Sequence, residues 1–253
     1  YNAFVWNSDR KILNPINKIN TIDLQLLIGI DKQKKTLLEN TLNFAKGNFT
    51  NNALLWGARG NGKSTLIKSI FASLSKDYKE LKLVQLNKND IFDIEFIYTF
   101  IGRFKNRRFI IFVDDLSFEK VDNEYKIIKS TLDGSIQNQP TNIILYVTSN
   151  RRHLMPRDMI DNERSSAIHT DESVEEKISL SDRFGLWLGF HNLSQNEYLE
   201  MIKSYCLHYK INYDENIKKD SIKWSLQRGS RTGRTAWQYI IQLASSKNLR
   251  INF

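Results

Sequence analysis

The chain has 253 residues, of which 41% are hydrophobic and 26% are charged, so it is long enough for one large domain or two small ones and too apolar for a disordered chain. Its formal net charge of +9 is compatible with a nucleic-acid or acidic partner, although coding DNA rich in A and T would give the same excess of Lys. Apolar runs reach five residues, which excludes a membrane-spanning helix, and the single cysteine, Cys206, excludes internal disulfides and multi-cysteine metal sites.

The amino-terminal segment, residues 1–25, is polar and poorly periodic, and Asn14-Pro15 within it is a turn signal. It has no apolar core of a signal peptide and does not begin with Met. We therefore expect a longer parent chain in the reduced, cytoplasmic compartment. We interpret the segment as an N-terminal extension of the folded part.

A helix is predicted over Asp31–Ala45, where Leu37, Leu38 and Leu42 fall on one side. Five apolar runs follow, at Ala53–Trp56, Leu81–Leu86, Phe109–Val113, Ile143–Thr148 and Leu186–Phe190. Helical stretches lie between them near 62–76, 90–104 and 123–133. Because the runs are almost continuously apolar, they predict strands that are buried on both faces of a parallel sheet. We expect an α/β fold with a five-stranded parallel sheet and helices on both faces.

The last part of the chain has a different pattern, because no strand-like run follows residue 193. Helical stretches near 194–208, 214–227 and 233–247 predict a small all-helical unit. Trp224 and Trp237 fall at apolar positions of these stretches, and we predict that they are core residues. The expected division is an N-terminal extension over 1–25, an α/β domain over 26–190 and a helical domain over 191–253.

A glycine-rich segment after the first predicted strand matches the pattern G-x-x-x-x-G-K-[ST] at every position. The glycines allow backbone N–H groups to turn toward phosphate oxygens, and the N-terminus of the following helix adds positive charge. Lys63 is then placed between the β- and γ-phosphates, and the Ser64 hydroxyl can bind Mg²⁺. The predicted contacts to ATP or ADP are Gly57, Ala58, Arg59, Gly60, Asn61, Gly62, Lys63, Ser64 and Thr65.

The apolar run at 109–113 ends in two carboxylates, Asp114 and Asp115. A carboxylate at the carboxyl end of a parallel strand points into the crevice where open α/β sheets bind ligands. We expect Asp114 to bind Mg²⁺ and Asp115 to polarise the attacking water. A pair of helix-capping aspartates is the structural alternative.

The order of these motifs resembles that of the AAA+ ATPases. Leu27-Ile28-Gly29-Ile30-Asp31 is similar to the family's box that packs against adenine, and Tyr146-Val147-Thr148-Ser149-Asn150-Arg151 resembles the strand that ends in the sensor-1 Asn. Ser181-Asp182-Arg183-Phe184 falls where AAA+ proteins have the arginine finger, and Gly233-Arg234 resembles the sensor-2 region of the helical lid. The strings LLWGARGNGKS, FVDDLSF, TSNRRHLMP, SLSDRFGLWLGF and RGSRTGRTAWQY further resemble a group of predicted bacterial AAA+ ATPases known as a domain of unknown function.

The resemblance implies roles for residues outside the glycine-rich segment. Ile28, Gly29 and Ile30 would contact the adenine ring. Asn150 would orient the water or bind the γ-phosphate, Arg183 would enter the site of a neighbouring subunit, and Arg234 would reach the γ-phosphate from the lid.

Each polar residue in this set has a structural alternative. Asn150 could form a turn, Arg183 a surface salt bridge, and Arg234 a solvated position on a helix. Arg152, Arg157 and Arg231 are rival cations. The long polar segment 152–180 could order against the neighbouring subunit and position Arg183.

The sequence therefore predicts an AAA+ P-loop ATPase that uses ATP/ADP and Mg²⁺, with Lys63, Asp115, Asn150 and Arg183 as catalytic residues. We expect a homo-oligomer, of which a ring is one form, that acts on an unidentified protein or nucleic-acid client and not on a membrane. Two interpretations stay open: a hydrolysing motor, and an ATP-gated switch or loader with slow hydrolysis that could act on DNA. No aromatic–hydrophobic–Gly pore loop follows the second predicted strand, which weakens the interpretation as a protein-threading motor.

Overall fold

The computed structural model of the protein describes residues 1–118, 123–133, 140–152, 154, 180 and 182–251. The described strands are β1 (Ala3–Asn7), β2 (Ile12–Ile16), β3 (Ala53–Gly57), β4 (Leu81–Leu86), β5 (Arg108–Val113), β6 (Ile143–Ser149) and β7 (Leu186–Phe190). The described α-helices are α1 (Asp31–Ala45), α2 (Lys63–Leu74), α3 (Ile94–Ile101), α4 (Asn123–Asp133), α5 (Gln195–His208), α6 (Glu215–Gln227) and α7 (Gly233–Ser246). Short 3-10 helices lie at Leu24–Leu26 and Lys88–Asp93.

The strands form one sheet in the order β2-β1-β4-β5-β6-β3-β7. Only β1 and β2 pair antiparallel, and every other neighbouring pair is parallel. The five predicted strands are β3 to β7, which lie side by side, so the expected α/β fold with a parallel sheet is confirmed. The expected strand number is wrong, because the described residues form a sheet of seven strands.

The two strands that were not predicted lie in the segment interpreted as an extension. β1 buries Ala3 and Trp6 and leaves the residues between them partly exposed, while β2 is an edge strand that contains Pro15. Neither strand therefore forms an apolar run. The open edge of β4 pairs with β1, and the Trp6 side chain donates a hydrogen bond to Asp93 over 2.9 Å. Long-range pairing, and not local pattern, fixes these strands.

The side chains of the sheet alternate between two hydrophobic cores, one on each face. Leu54 belongs to the core that contains the buried residues of α3 and α4, whereas its neighbour Leu55 belongs to the core that contains those of α1 and α2. The predicted helices therefore cover both faces. No described helix is long and apolar enough to cross a membrane.

Helices α5, α6 and α7 have a hydrophobic core of their own, which includes Tyr198, Ile202 and Ile240. Leu26, which lies between β2 and α1, and Leu193, which follows β7, also pack into this core. α5 begins at a capping box, in which Ser194 and Glu197 bond each other's backbone N–H groups. Two segments of the α/β part therefore anchor the helical unit to it.

The parallel register decides where functional groups can meet. Trp56 of β3 pairs with Ser149 of β6, and Val113 of β5 pairs with Val147 of β6. The carboxyl ends of the three adjacent strands β5, β6 and β3 thus lie side by side at one end of the sheet, where ligands of open α/β sheets bind.

Candidate active site

The glycine-rich segment forms a tight loop between β3 and α2. Gly57, Gly60 and Gly62 have φ angles of 134°, 83° and 87°, which side chains rarely adopt. At Gly57 a Cβ atom would lie 2.0 Å from the backbone oxygen of Phe190. The motif glycines are therefore required by the loop's own backbone and by the close approach of β7.

Lys63 is the first residue of α2, and its side chain folds back into the loop. Its ammonium group donates hydrogen bonds to the carbonyl oxygens of Gly57 and Ala58, at 2.6 and 2.9 Å, and to Asn150 Oδ1 at 3.2 Å. Burial lowers the pKa of Lys63, and the nearby carboxylates of Asp115 and Asp114 act in the opposite direction. The loop thus holds a cation next to the inward-turned backbone.

The Asp114 carboxylate lies against two hydroxyl groups. Its Oδ1 atom accepts hydrogen bonds from Ser64 Oγ at 2.5 Å and from Thr148 Oγ1 at 2.6 Å. Carboxylate and hydroxyl oxygens in contact are ligands that suit Mg²⁺. The prediction that Ser64 and Asp114 share one site is therefore compatible with this geometry, and the residues present fit a bound Mg²⁺.

Asp115 adopts a left-handed backbone conformation, with φ of 55°. Asn150 donates a hydrogen bond to its Oδ1 atom, and the Arg59 guanidinium lies 3.4 Å from its Oδ2 atom. The Asp115 N–H donates to Thr148 Oγ1 at 2.9 Å. The second carboxylate is therefore held in place from both sides, and it is more exposed than the first.

Thr148 is a site residue that the sequence analysis treated only as part of a strand. Its hydroxyl donates a hydrogen bond to the Asp114 carboxylate and accepts one from the Asp115 backbone N–H, and the residue is 1% exposed. Its position two residues before Asn150 was the available signal, because side chains at i and i+2 of a strand share one face.

A cavity of about 640 Å³ opens above these groups, which is within the range of ligand sites in proteins. Residues from Arg59 to Thr65 line its floor, together with Asp114, Asp115 and Asn150. Gly57 and Ala58 do not line it, and they contribute through their bonds to Lys63.

The residues of the predicted adenine box, Ile28 to Ile30, do not all have the same role. Ile28 and Ile30 line the cavity, whereas Gly29 does not. Gly29 has a φ of 78°, and a Cβ atom there would lie 2.6 Å from Leu193 Cδ2. This glycine therefore permits the close approach of the segment that leads into α5.

The helical unit supplies the opposite wall of the cavity through Met201, Tyr205 and Trp237. Trp237 was predicted to be a core residue, and it does pack on the helical core, with its ring 5.6 Å from that of Tyr205. Being only partly buried, it reaches the cavity as well. Apolar periodicity gives no signal for this second role.

Arg234 lies at the N-terminus of α7 and lines the cavity. Its backbone N–H donates to the Gly60 carbonyl at 3.0 Å, so the lid contacts the glycine-rich loop directly. Arg231 does not line the cavity, and Arg157 lies outside the described residues, as does most of the segment 152–180.

Two other arginines lie away from the cavity. Arg183 precedes β7 and forms an ion pair with Asp133 at the end of α4. Arg152 stacks on the rings of Trp56 and Trp187, at 5.3 and 4.9 Å from their centroids. Neither arginine lines the cavity of its own chain.

A known family matches the chain over almost its whole length. Residues 1–247 match the family described as "Protein of unknown function (DUF815)". The chain belongs to this family. No curated protein matches it in sequence.

The DUF815 chain shares its fold with several solved structures. The Holliday junction branch migration motor RuvB of Thermotoga maritima is 20% identical, with a TM-score of 0.58 over 91% of this chain and 68% of RuvB. Domain III of the replication initiation protein DnaA, from the same organism, is 12% identical, with a TM-score of 0.52 over 87% of both chains. The Aeropyrum pernix ORC1 protein, solved in complex with DNA, is 14% identical, with a TM-score of 0.58 over 87% of this chain and 61% of ORC1.

The family match and the shared fold confirm the resemblance that the motifs indicated. At such identities the likeness concerns the fold. Roles of individual residues rest on the geometry described above.

Proposed function

We propose that this protein is an AAA+ ATPase that binds and hydrolyses ATP with Mg²⁺ to drive conformational change in an oligomer. The observation that carries the proposal is the convergence of Lys63, Ser64, Asp114, Asp115 and Asn150 at one sheet edge under the lid. A cation, a metal-binding oxygen pair, a base and an amide are the groups that phosphoryl transfer to water requires.

Each group has a proposed task in this reaction. Lys63 binds the β- and γ-phosphates, Asp115 accepts a proton from water, and Asn150 orients that water. Mg²⁺ held by Ser64 and Asp114 would neutralise phosphate charge.

The lid and the box before α1 have proposed tasks at the other end of the nucleotide. Ile28 and Ile30 bind adenine, and Arg234 transmits the state of the γ-phosphate to the lid. We propose that the lid spans 191–253 and that the α/β domain spans 1–190, because β1 and β2 of the N-terminal segment belong to its sheet. We also propose a location in the cytoplasm.

We further propose that Arg183 completes the site of a neighbouring subunit in the oligomer. It does not line the cavity of its own chain, and Asp133, with which it forms an ion pair, is partly exposed. In other enzymes, an arginine that a neighbouring subunit or partner supplies increases the rate of phosphoryl transfer by roughly 10³–10⁵-fold.

One observation favours the alternative function, an ATP-gated switch or loader with slow hydrolysis. Asn150 and Arg59 each contact one carboxylate oxygen of Asp115, so an attacking water competes with both side chains for this carboxylate. The described resemblance to RuvB and to ORC1, which was solved with DNA, makes DNA the first client to test for either function.

The experiment is ATP hydrolysis by the full chain with Mg²⁺, with and without DNA. Asp115→Asn removes the base, so we expect turnover to fall by roughly 10²-fold or more while ATP binding stays. Asp77→Asn, at an exposed position after α2, is the matched control and keeps wild-type turnover. Unchanged turnover of Asp115→Asn contradicts the assignment of the base.

The same assay tests the arginine. We expect Arg183→Ala alone to hydrolyse ATP poorly. Mixing it with Lys63→Ala restores part of the turnover, because the Lys63→Ala subunits supply Arg183 to the intact sites of the Arg183→Ala subunits. A mixture that stays as inactive as its components contradicts a role across the subunit boundary.

A further inference from the structure

A row of four exposed phenylalanines follows one face of α3 and its flanks. Phe92, Phe96, Phe100 and Phe104, which we call the aromatic ladder, recur every four residues and so lie on one helix face. Their exposed fractions are 54%, 49%, 36% and 50%. The opposite face of α3 packs into the core of the α/β part. An exposed apolar row of this length is typical of an interaction surface.

The rings of the ladder support one another. Phe96 and Phe100 stack with their centroids 6.2 Å apart, and Phe100 and Phe104 lie edge to face at 5.9 Å. Trp6 closes one end, 5.9 Å from Phe96, and Phe109 closes the other, 6.5 Å from Phe104. The surface is thus already ordered in the single chain, which reduces the entropy cost of binding.

This ring arrangement favours an apolar protein surface over a nucleic acid. Bases stack on free ring faces, and here much of the ring area between Phe96, Phe100 and Phe104 is taken up by neighbouring rings.

The polar residues beside the ladder have a symmetrical arrangement. Glu95, Thr99 and Arg103 are all exposed, and each follows a ladder residue by three positions, which places them along the same side. Glu95 and Arg103 are each four residues from Thr99. Glu95 accepts a hydrogen bond from Ser130 at 3.4 Å, and Arg103 has no ion pair among the described residues. One end of this side is therefore negative, the centre neutral and the other end positive.

We propose that the aromatic ladder is the docking surface for a second copy of this chain, which packs antiparallel about a two-fold axis near Thr99. A rotation about this axis brings Glu95 of each copy opposite Arg103 of the other and lays the two ladders together. The contact is isologous, so both ion pairs form at once.

The ladder supplies about half of the area that such a contact needs. Because a phenylalanine side chain presents on the order of 200 Å², the four rings together expose roughly 400 Å². That is about half of what each partner buries in a standard interface, so the flanking residues complete the contact. The ladder and Arg183 both lie near α4, because Glu95 accepts a hydrogen bond from Ser130 of α4 and Arg183 pairs with Asp133 three residues further along that helix. The two proposed contacts are told apart by their tests, because the test of the ladder does not depend on ATP.

The first test is sedimentation equilibrium of the full chain without nucleotide. Glu95→Arg or Arg103→Glu turns both Glu95–Arg103 pairs of the dimer into pairs of like charge. Each substitution therefore raises the dissociation constant of the dimer by about tenfold or more. The double variant Glu95→Arg/Arg103→Glu restores wild-type affinity. A wild-type chain that stays monomeric up to about 100 μM, or a double variant without rescue, overturns the proposal.

The second test is disulfide cross-linking at the axis. Cys206, the chain's single cysteine, is buried, so an added surface thiol reports on its own surroundings. Thr99→Cys gives a covalent dimer under mild oxidation, and adding Phe100→Ser to it reduces the yield by about tenfold or more. Lys203→Cys, at an exposed position on α5, is the control and gives no more dimer than wild type. Equal yields for Thr99→Cys and Lys203→Cys, or a monomer that binds an oligonucleotide or acidic peptide through the ladder, overturn the proposal.

Discussion

The sheet-side and lid-side walls of the cavity are stabilised by different interactions. On the sheet side, short hydrogen bonds join Lys63 to the carbonyl oxygen of Gly57 in the loop, and Ser64 and Thr148 to the Asp114 carboxylate. On the lid side, the wall rests on a separate hydrophobic core, and the described backbone link to the phosphate loop is the bond from Arg234 to Gly60. From this difference we expect substitutions in the close-packed loop to cost more stability than substitutions in the lid.

The largest expected effect is on the sheet side, at Gly57. Gly57→Ala puts a Cβ atom 2.0 Å from the Phe190 oxygen at a φ of 134°, so we expect a loss of roughly 3 kcal/mol or more in the free energy of unfolding. Gly229→Ala, in the lid, is the matched control, because its φ is 62° and no atom lies within 4 Å of the added Cβ. That variant loses about 1 kcal/mol. Urea unfolding measures both, and equal losses would contradict the contrast between the walls.

A smaller effect is expected where the lid meets the loop. Arg234→Ala removes the guanidinium but keeps the backbone bond to Gly60, so the lid stays in place and ATP binds about tenfold more weakly. Arg228→Ala, on the lid but outside the cavity lining, keeps wild-type affinity. Calorimetric titration with Mg²⁺ and ATP measures the difference. Weaker binding by both variants to the same extent would show that lid stability, and not the Arg234 charge, was changed.

The smallest effect is expected inside the lid, at the start of α5. Ser194→Ala removes the capping box and costs about 1 kcal/mol of stability, with ATP affinity unchanged. Hydrogen bonds from Ser194 lower the pKa of Glu197, so the box stabilises the fold with Glu197 ionised. The cost of the variant therefore shrinks as the pH falls through the pKa of that carboxyl. Thermal unfolding at several pH values checks this, with the exposed Ser246→Ala as control.

Local sequence pattern predicts the sheet-side wall better than the lid-side wall. The continuous apolar runs at β5 and β6 and the G-x-x-x-x-G-K-S segment are each visible in a few consecutive residues. Because parallel strands end at one edge, these segments already place Lys63, Asp114 and Asn150 together. Thr148 was missed because its strand is apolar and its hydroxyl has a meaning only next to Asp114.

Residues whose role depends on distant partners could not be predicted. β1 becomes a strand by pairing with the edge of β4, more than 70 residues away in the chain. Tyr205 and Trp237 have the apolar spacing of core residues and also line the cavity, since α5 and α7 meet there. Such positions are decided by packing between elements, which periodicity within one helix does not reveal.

The most direct test of the central claim is calorimetric binding of ATP with Mg²⁺ to the wild-type chain, Lys63→Ala and Lys76→Ala. Lys63 is buried in the phosphate loop, whereas Lys76 is exposed just after the same helix. The account predicts that wild type and Lys76→Ala bind ATP alike and that Lys63→Ala loses roughly 100-fold in affinity while its unfolding curve stays cooperative. Equal affinity of all three chains, or no binding by the wild type, would contradict it.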